Sequence, residues 1–528
     1  MLMTSARAGV VVPIGFVPLL PGDSASGRVG VDVQLKEMPK PLLNAVHANV
    51  QAWFVPKSSF PQFSGRDELL HSMAGEKIKA LGAADRDPPA YFHTLGNGTG
   101  IGAFQGSPMA KVLGLHIHTD TPMNTDLVDA FNLVYNFRLA AHSSRLPRRK
   151  YARENIAEAA SLPPAFWPSS RLSRVVPDYE RALVVGSLDL DVLAGQLPLV
   201  GLNVTTPVAG TSIRRVDGKG AVGAAFTPVA QSTIVAGRAS TAADSAIFPQ
   251  IMAEMAGQAI SITLADIDKA RTTQAFAKLR TAYAGNDTTG FDNDDALVAM
   301  LMQGLNVPED EFKRPWLLDS QRVAVGFAER FATDAANLDA SVTVGRASAS
   351  LSLNVPQQDV GGIIIFTVEV LPERVDERMS DEWMLATKYD DLPNALRDIQ
   401  RVEPVDLVLN RRVDAKHATP NGLYGYEPMN DKWNRDFTRL GGDFYAPTPG
   451  SGWTENRSNI WQTEIVNPTF SATHYLAPSP FPHDVFADQV ADAFECVCRH
   501  AVTIVGLTQI GDVLAENNDD YNATVQAG

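Results

Sequence analysis

Cysteine is nearly absent from the sequence: Cys496 and Cys498 are the only two among 528 residues. Secreted folds that depend on disulfides carry many more cysteines, and a spacing of one residue is too short for an ordinary disulfide. The pair also lacks the second half of a zinc-binding cysteine set. We therefore expect reduced thiols in a soluble protein made in a reducing compartment.

Long apolar runs are missing as well. The stretch 9–20 is apolar but short, and Pro13 and Pro18 interrupt it, whereas a membrane-spanning helix needs about 20 apolar residues. No basic segment precedes this stretch, so we expect neither a signal peptide nor membrane insertion.

Positive charge is scarce too, since 45 Lys and Arg stand against 60 Asp and Glu, which gives a net charge of −15. This balance argues against a protein that coats nucleic acid through bulk charge, but it leaves room for a local basic patch. One dense basic cluster is present, and its members are the candidate nucleic-acid-binding residues: Arg145, Arg148, Arg149, Lys150 and Arg153.

The basic cluster has a second interpretation, as a solvated turn or a charge-complementary contact between subunits. Aromatic residues lie nearby at Tyr151, Phe166 and Trp167. Such rings could stack on bases, or they could pack in an interface.

Hydrophobic residues alternate with polar ones in several segments, which predicts half-buried β-strands at 28–36, 45–55 and 347–355. The continuous apolar run 361–370 predicts a strand buried on both faces. A late strand is expected at 494–505, with Phe494, Cys496 and Cys498 on one face.

Helical patterns are few, and the best covers 126–141, with Thr125 as its cap and Leu127, Phe131 and Val134 on its apolar face. We expect Asn132 and Asn136 to lie off that face. Two more helices are predicted at 263–284 and 294–303, and the long turn-rich stretches are 60–125, 143–261 and 373–465. The sequence therefore predicts a mainly β fold with large insertions.

Cofactor and metal motifs are weak. The stretch 98–103 fits a loose dinucleotide-binding pattern, but prolines flank it where a strand and a helix are required, so a flexible glycine loop is the better interpretation. His116, His118 and Asp120 would share one face of a strand, yet no further ligand cluster accompanies them. We expect no metal, no cofactor and no catalytic site.

Segments along most of the chain resemble the major capsid proteins of the microviruses, small tailless icosahedral bacteriophages with circular single-stranded DNA. For example, residues 19–24 resemble the family's L-x-P-G-D-[ST] turn. The similar segments are Leu19-Leu20-Pro21-Gly22-Asp23-Ser24, Phe54-Val55-Pro56, Ala130-Phe131-Asn132-Leu133-Val134-Tyr135-Asn136, Lys313-Arg314-Pro315 with Leu317, Gly361-Gly362-Ile363-Ile364, Tyr424-Gly425-Tyr426-Glu427, and 499–512 with Gly506, Gly511 and Asp512. The match is to a divergent branch of the family.

The resemblance implies one discontinuous domain over 1–528, an eight-stranded antiparallel jelly roll with a few short helices. Its core strands are expected in 9–60, 340–372 and 466–512, and its insertions in 61–125, 143–339 and 373–465.

The resemblance also implies a structural protein of the virion, made in the bacterial host cytoplasm, that assembles with itself into a T=1-type icosahedral shell. The implied partners are packaged single-stranded DNA on the inner face, a pilot or minor capsid protein, a scaffolding protein and a host cell-surface receptor.

Two other classes remain open at this point. An all-β carbohydrate-active enzyme, such as a glycoside hydrolase, would show a cleft with two convergent carboxylates. A phage spike or adhesin module would form a trimer without closing a shell.

Overall fold

The computed structural model describes residues 1–63, 65–79, 85–96, 98–143, 146–168, 170–177, 314–331, 341–375, 378–399, 405–445, 457–461, 463 and 465–506. All of them belong to the unit that residues 1–181 and 279–528 form. This part of the chain is mainly β, with antiparallel sheets and few helices, which confirms the predicted class. No helix within it has the length and apolar character needed to cross a membrane.

The strands in the described ranges are β1 Leu2–Ala6, β2 Val11–Leu19, β3 Ser24–Leu35, β4 Val46–Pro56, β5 Thr94–Leu95, β6 Met123–Asn124, β7 Trp316–Ala324, β8 Gly326–Phe331, β9 Ser341–Val355, β10 Gly362–Pro372, β11 Val405–Leu409, β12 Leu423–Pro428 and β13 Phe494–Val505. The helices are α1 Arg66–Ala74, α2 Thr99–Gln105, α3 Pro108–Leu113, α4 Asp126–His142, α5 Ile156–Ala159, α6 Glu382–Leu385, α7 Ala395–Ile399 and α8 Asn410–Val413. Short 3₁₀ turns lie at Lys57–Ser59, Arg171–Arg174, Tyr389–Asp391, Asp431–Trp433, Gly442–Phe444 and Ala472–His474.

Two sheets carry the fold. One has the strand order β1-β13-β3-β9-β8 and the other the order β2-β10-β4-β7. The two-stranded pairs β11-β12 and β5-β6 lie outside them. In β3 the apolar residues are buried while Arg28 and Asp32 are exposed, so the predicted alternation is confirmed. Every residue of β10 is buried, as its continuous apolar run predicts.

The apolar stretch near the N-terminus forms β2, whose prolines do not break the sheet. Proline cannot donate a ladder hydrogen bond, so it is confined to edge strands or bulges. Strand β2 lies at the edge of its sheet, and Pro13 pairs with Thr367 next to an irregularity in the register with β10. The edge position therefore accommodates Pro13 and Pro18.

Strands β7 and β8 lie in the range 143–339, which the sequence assigns to an insertion, and each extends one of the two sheets. Asp319 and Gln321 of β7 also reach β9: the backbone N–H of Ser352 donates to Asp319 at 2.8 Å, and that of Ser350 donates to Gln321 at 2.7 Å. These side chains satisfy donors on the open edge of β9 and join the two sheets along one side.

Helix α4 confirms the prediction over 126–141, and the helices predicted at 263–284 and 294–303 lie outside the described residues.

The prediction of a flexible loop at 98–103 is wrong, because Thr99 begins the helix α2. Gly98 takes a positive φ of 98° just before it, and Ile101 and Phe104 are buried. Burial of these two side chains compensates for the glycines in the helix.

The two cysteines are free and buried on the core face of β13, together with Phe494. Burial raises the pKa of Cys496 to about 12 and the pKa of Cys498 to about 11. The thiolate is the reactive form, so both side chains act as small core residues.

We expect Ile364→Ala to lower the free energy of unfolding by about 2–5 kcal/mol, because it removes buried methyl groups and leaves a cavity. Ile364, the third residue of β10, is fully buried. Urea denaturation of the purified protein measures the effect. The control Ser350→Ala, at an exposed position of β9, should change stability by less than about 0.5 kcal/mol. Equal effects of the two substitutions would contradict the burial pattern.

Candidate functional site

Helix α4 carries a stripe of buried polar residues that holds the candidate basic segment. Asp129, Asn132 and Asn136 are each no more than 1% exposed. Their spacing of three and four residues puts them on one face of the helix. Asn132 and Asn136 lie off the face of Leu127, Phe131 and Val134, as expected, but they are buried as well. Their amides are buried because the next segment of the chain supplies hydrogen-bond partners.

Asn136 binds the backbone of Arg149 through both ends of its amide. Arg149 N–H donates to Oδ1 of Asn136 at 2.8 Å, and Nδ2 of Asn136 donates to the carbonyl of Arg149 at 3.1 Å. Two turns earlier in the helix, Asp129 accepts the backbone N–H of Ala152 at 2.7 Å. Residues 149–152 are therefore attached to the helix at two points.

The guanidinium of Arg149 points into the protein. Its Nε donates to Oδ1 of Asn132 at 2.7 Å, and its terminal nitrogen donates to the carbonyls of Glu158 at 2.7 Å and Ser161 at 2.8 Å. Burial lowers the pKa of Arg149, whereas Tyr135 and Glu158 oppose that shift. This side chain organises the segment 149–161, and its Nε and one of its terminal nitrogens already have acceptors within the chain.

The other predicted cations are more exposed. Arg148 makes a bidentate contact with Glu154, at 3.2 and 2.9 Å, and this hydrogen bond lowers the pKa of Glu154. Lys150 contacts Glu158 at 2.9 Å, which raises the pKa of Lys150. Arg153 is exposed. The fifth residue, Arg145, lies outside the described residues.

The segment 148–158 thus has four positive charges against two negative ones. Because Arg149 is engaged internally, Lys150 and Arg153 are the exposed cations of the segment on which a phosphate contact would depend. The ion pairs of Arg148 and Lys150 are solvent-accessible, so they exchange easily with other anions.

The nearby aromatic residues pack inside the protein. Tyr151 and Trp167 are 7% and 8% exposed, and Phe166 stacks on His142 at a ring distance of 5.1 Å. Of the two roles that the sequence allows for these rings, packing is the one that fits their burial.

His116 and His118 lie in the loop after α3, not on a strand, and the Nδ1 of His118 is 3.7 Å from the carboxylate of Asp120. The described ranges hold no group of three or more His, Cys, Asp or Glu arranged to bind a metal ion.

A small cleft is lined by residues that include Trp167, Arg374, Tyr424 and His474, and its volume of about 20 Å³ has room for one water molecule. The Tyr424 hydroxyl and Nδ1 of His474 are 3.0 Å apart. Burial, with the charge of Arg374, lowers the pKa of His474 to about 3. His474 is therefore neutral at pH 7 and packs as a core residue.

Comparison with protein-family models and with curated proteins finds no match to this chain.

We expect Asn136→Ala to lower the free energy of unfolding by about 1–3 kcal/mol, because it leaves the backbone N–H and C=O of Arg149 without their partner. Urea denaturation checks this value. The matched control is Asn421→Ala, which removes the same side chain at an exposed position and should have little effect. A smaller loss of stability for Asn136→Ala than for the control would refute the role of Asn136 in holding the backbone of Arg149.

Proposed function

We propose that this chain is the major capsid protein of a microvirus, and that identical copies assemble into a T=1-type icosahedral shell around circular single-stranded DNA. The observation that carries the proposal is the pairing order of eight strands in the two main sheets. It supports a jelly roll, the fold that the resemblance implies and that many viral capsid proteins use.

Eight strands matter for this order: β1, β2, β3, β4, β7, β9, β10 and β13. The first pairs with the eighth, the second with the seventh, the third with the sixth and the fourth with the fifth. A long antiparallel hairpin rolled into two facing sheets has this order. Strand β8 adds one further strand at the edge of the five-stranded sheet.

The resembling segments support the same proposal through their positions. Leu19–Ser24 contains the turn between β2 and β3, where Gly22 takes a φ of 90° and buried Asp23 accepts the backbone N–H of Leu20 at 2.9 Å. Phe54-Val55-Pro56 closes β4, and Gly362 opens β10. These residues occupy turns and strand ends, where a backbone of this shape restricts residue type.

A fold alone does not assign a function, and exposed apolar side chains supply a second argument. Around α6 and the turn that follows it, Trp383 is 67% exposed, Met384 78% and Tyr389 73%. Large apolar surfaces of this kind mark sites of association. A second copy of the chain would bury them in a shell made of repeated subunit contacts.

The remaining parts of the proposal follow from the resemblance. The shell would hold DNA on its inner face, where Lys150 and Arg153 would contact phosphates. It would bind a pilot or minor capsid protein, a scaffolding protein and a host receptor. The protein would be made in the bacterial host cytoplasm and end in the virion.

We expect the purified wild-type chain to form closed, uniform particles in electron micrographs, and Trp383→Asp to abolish them by placing a charge in an apolar contact. The control Trp383→Phe keeps the apolar surface and should assemble. A wild-type chain that stays monomeric under native, assembly-competent conditions would exclude the capsid proposal, and a trimer without a shell would favour a spike or adhesin.

We expect the double substitution Lys150→Glu and Arg153→Glu to reduce the nucleic acid content of particles without preventing shell formation, because it reverses the two exposed charges. The ratio of absorbance at 260 and 280 nm of purified particles measures this content. The charge-preserving variant Lys150→Arg with Arg153→Lys is the control. Unchanged nucleic acid content in the reversed variant would show that this segment does not face the genome.

A further inference from the structure

Lys57 and Asp126 form a buried contact between two elements that are distant in sequence. Lys57 follows the last residue of β4, and Asp126 is the first residue of α4, 69 positions later. Nζ of Lys57 contacts Oδ2 of Asp126, and the side chains are only 3% and 8% exposed. An amine and a carboxyl group are therefore held together out of solvent.

Aromatic rings surround the amine. Nζ of Lys57 lies 4.5 Å from the ring centre of Phe60, 4.6 Å from that of Tyr91 and 4.7 Å from that of Phe92. The rings restrict the position of the nitrogen and exclude water from it. Exclusion of water protects a condensation product from hydrolysis.

A second buried carboxylate, Asp129, lies one helical turn from Asp126. It accepts hydrogen bonds from the backbone N–H of Ala152 at 2.7 Å and from the hydroxyl of Thr125 at 3.0 Å, and these stabilise its ionised form. Oδ1 of Asp126, in contrast, is buried with no hydrogen-bond partner within the described part of the chain. Burial raises the pKa of Asp129 too, although its two hydrogen bonds oppose that shift. Asp126 is therefore the carboxyl group that both contacts the ammonium and has an oxygen without a partner in the described residues.

The pKa values of Lys57 and Asp126 also shift toward the neutral forms of both groups. Burial is the largest influence on both groups, and it lowers the pKa of Lys57 and raises the pKa of Asp126, while their mutual attraction opposes both shifts. Transfer of one proton along the contact converts the ion pair into a neutral amine and a neutral acid. A neutral amine is a nucleophile, and a protonated carboxyl group has a hydroxyl that can leave as water.

From this geometry we infer that Lys57 and Asp126 condense into an intramolecular amide cross-link. Nζ of Lys57 attacks Cγ of Asp126, and an N–C bond forms. The Cγ–Oδ2 bond breaks, and the oxygen leaves as one water molecule with a proton from the amine and the proton of the carboxyl group. The reaction changes no oxidation state and needs no co-reactant.

The cross-link would join the two ends of the insertion 61–125. It would connect the four-stranded sheet to α4 covalently, so the insertion could not separate from the sheet even when the surrounding packing loosens. This inference concerns the folded subunit itself and does not depend on whether the chain forms a shell.

Mass spectrometry of the full-length denatured protein tests the inference. The wild-type chain should be lighter than its sequence by the mass of one water, about 18 Da. A tryptic digest should contain one branched peptide that joins the segments around Lys57 and Asp126, with no cleavage after Lys57. A wild-type mass equal to the sequence mass would overturn the cross-link and leave a simple ion pair.

Variants exclude other sources of water loss, such as a succinimide at an aspartate. Lys57→Arg and Asp126→Ala should each restore the full mass of their sequence, and a loss of water that persists in Lys57→Arg would overturn the assignment. The chain contains a matched internal control: Lys36 contacts Glu495 as closely, but these side chains are 42% and 52% exposed, so no peptide linking them is expected. The branched wild-type peptide decides the question even where a variant folds poorly.

Discussion

Burial of β10 on both faces is the constraint around which the described structure is arranged. All eleven residues from Gly362 to Pro372 are buried, so neither face can turn to solvent, and both edges must find partners. Strands β2 and β4 supply them. A one-residue slip would exchange the two faces of a neighbouring strand, so the central strand determines the register of the whole four-stranded sheet.

A buried charge in the same strand places the main helix. Glu369 of β10 is 2% exposed and contacts the guanidinium of Arg138 on α4. That guanidinium also lies 4.1 Å from the ring centre of Phe166. A buried carboxylate is costly unless it is paired, so this contact restricts where α4 can dock on the sheet.

Once docked, α4 organises two different features through two sets of polar side chains. The stripe of Asp129, Asn132 and Asn136 holds the backbone of the basic segment and the guanidinium of Arg149. Asp126, at the start of the helix, meets Lys57 beside the end of β4. The same helix thus orients the exposed cations Lys150 and Arg153 and creates the enclosed amine and carboxyl pair.

Local patterns in the sequence were sufficient for the mainly β class, for the alternating strands, for buried β10 and for α4, because period and burial are linked within a single element. They were not sufficient to tell the five cations of the basic cluster apart. The guanidinium of Arg149 donates a hydrogen bond to Asn132 inside the protein, whereas Lys150 and Arg153 are exposed. The helical spacing of Asp129, Asn132 and Asn136 was the available signal. Only the tertiary structure decided that the polar face of α4 is buried and how β7 and β8 join the two sheets. It also brought Lys57 to Asp126. Each of these contacts depends on partners that are distant in the chain.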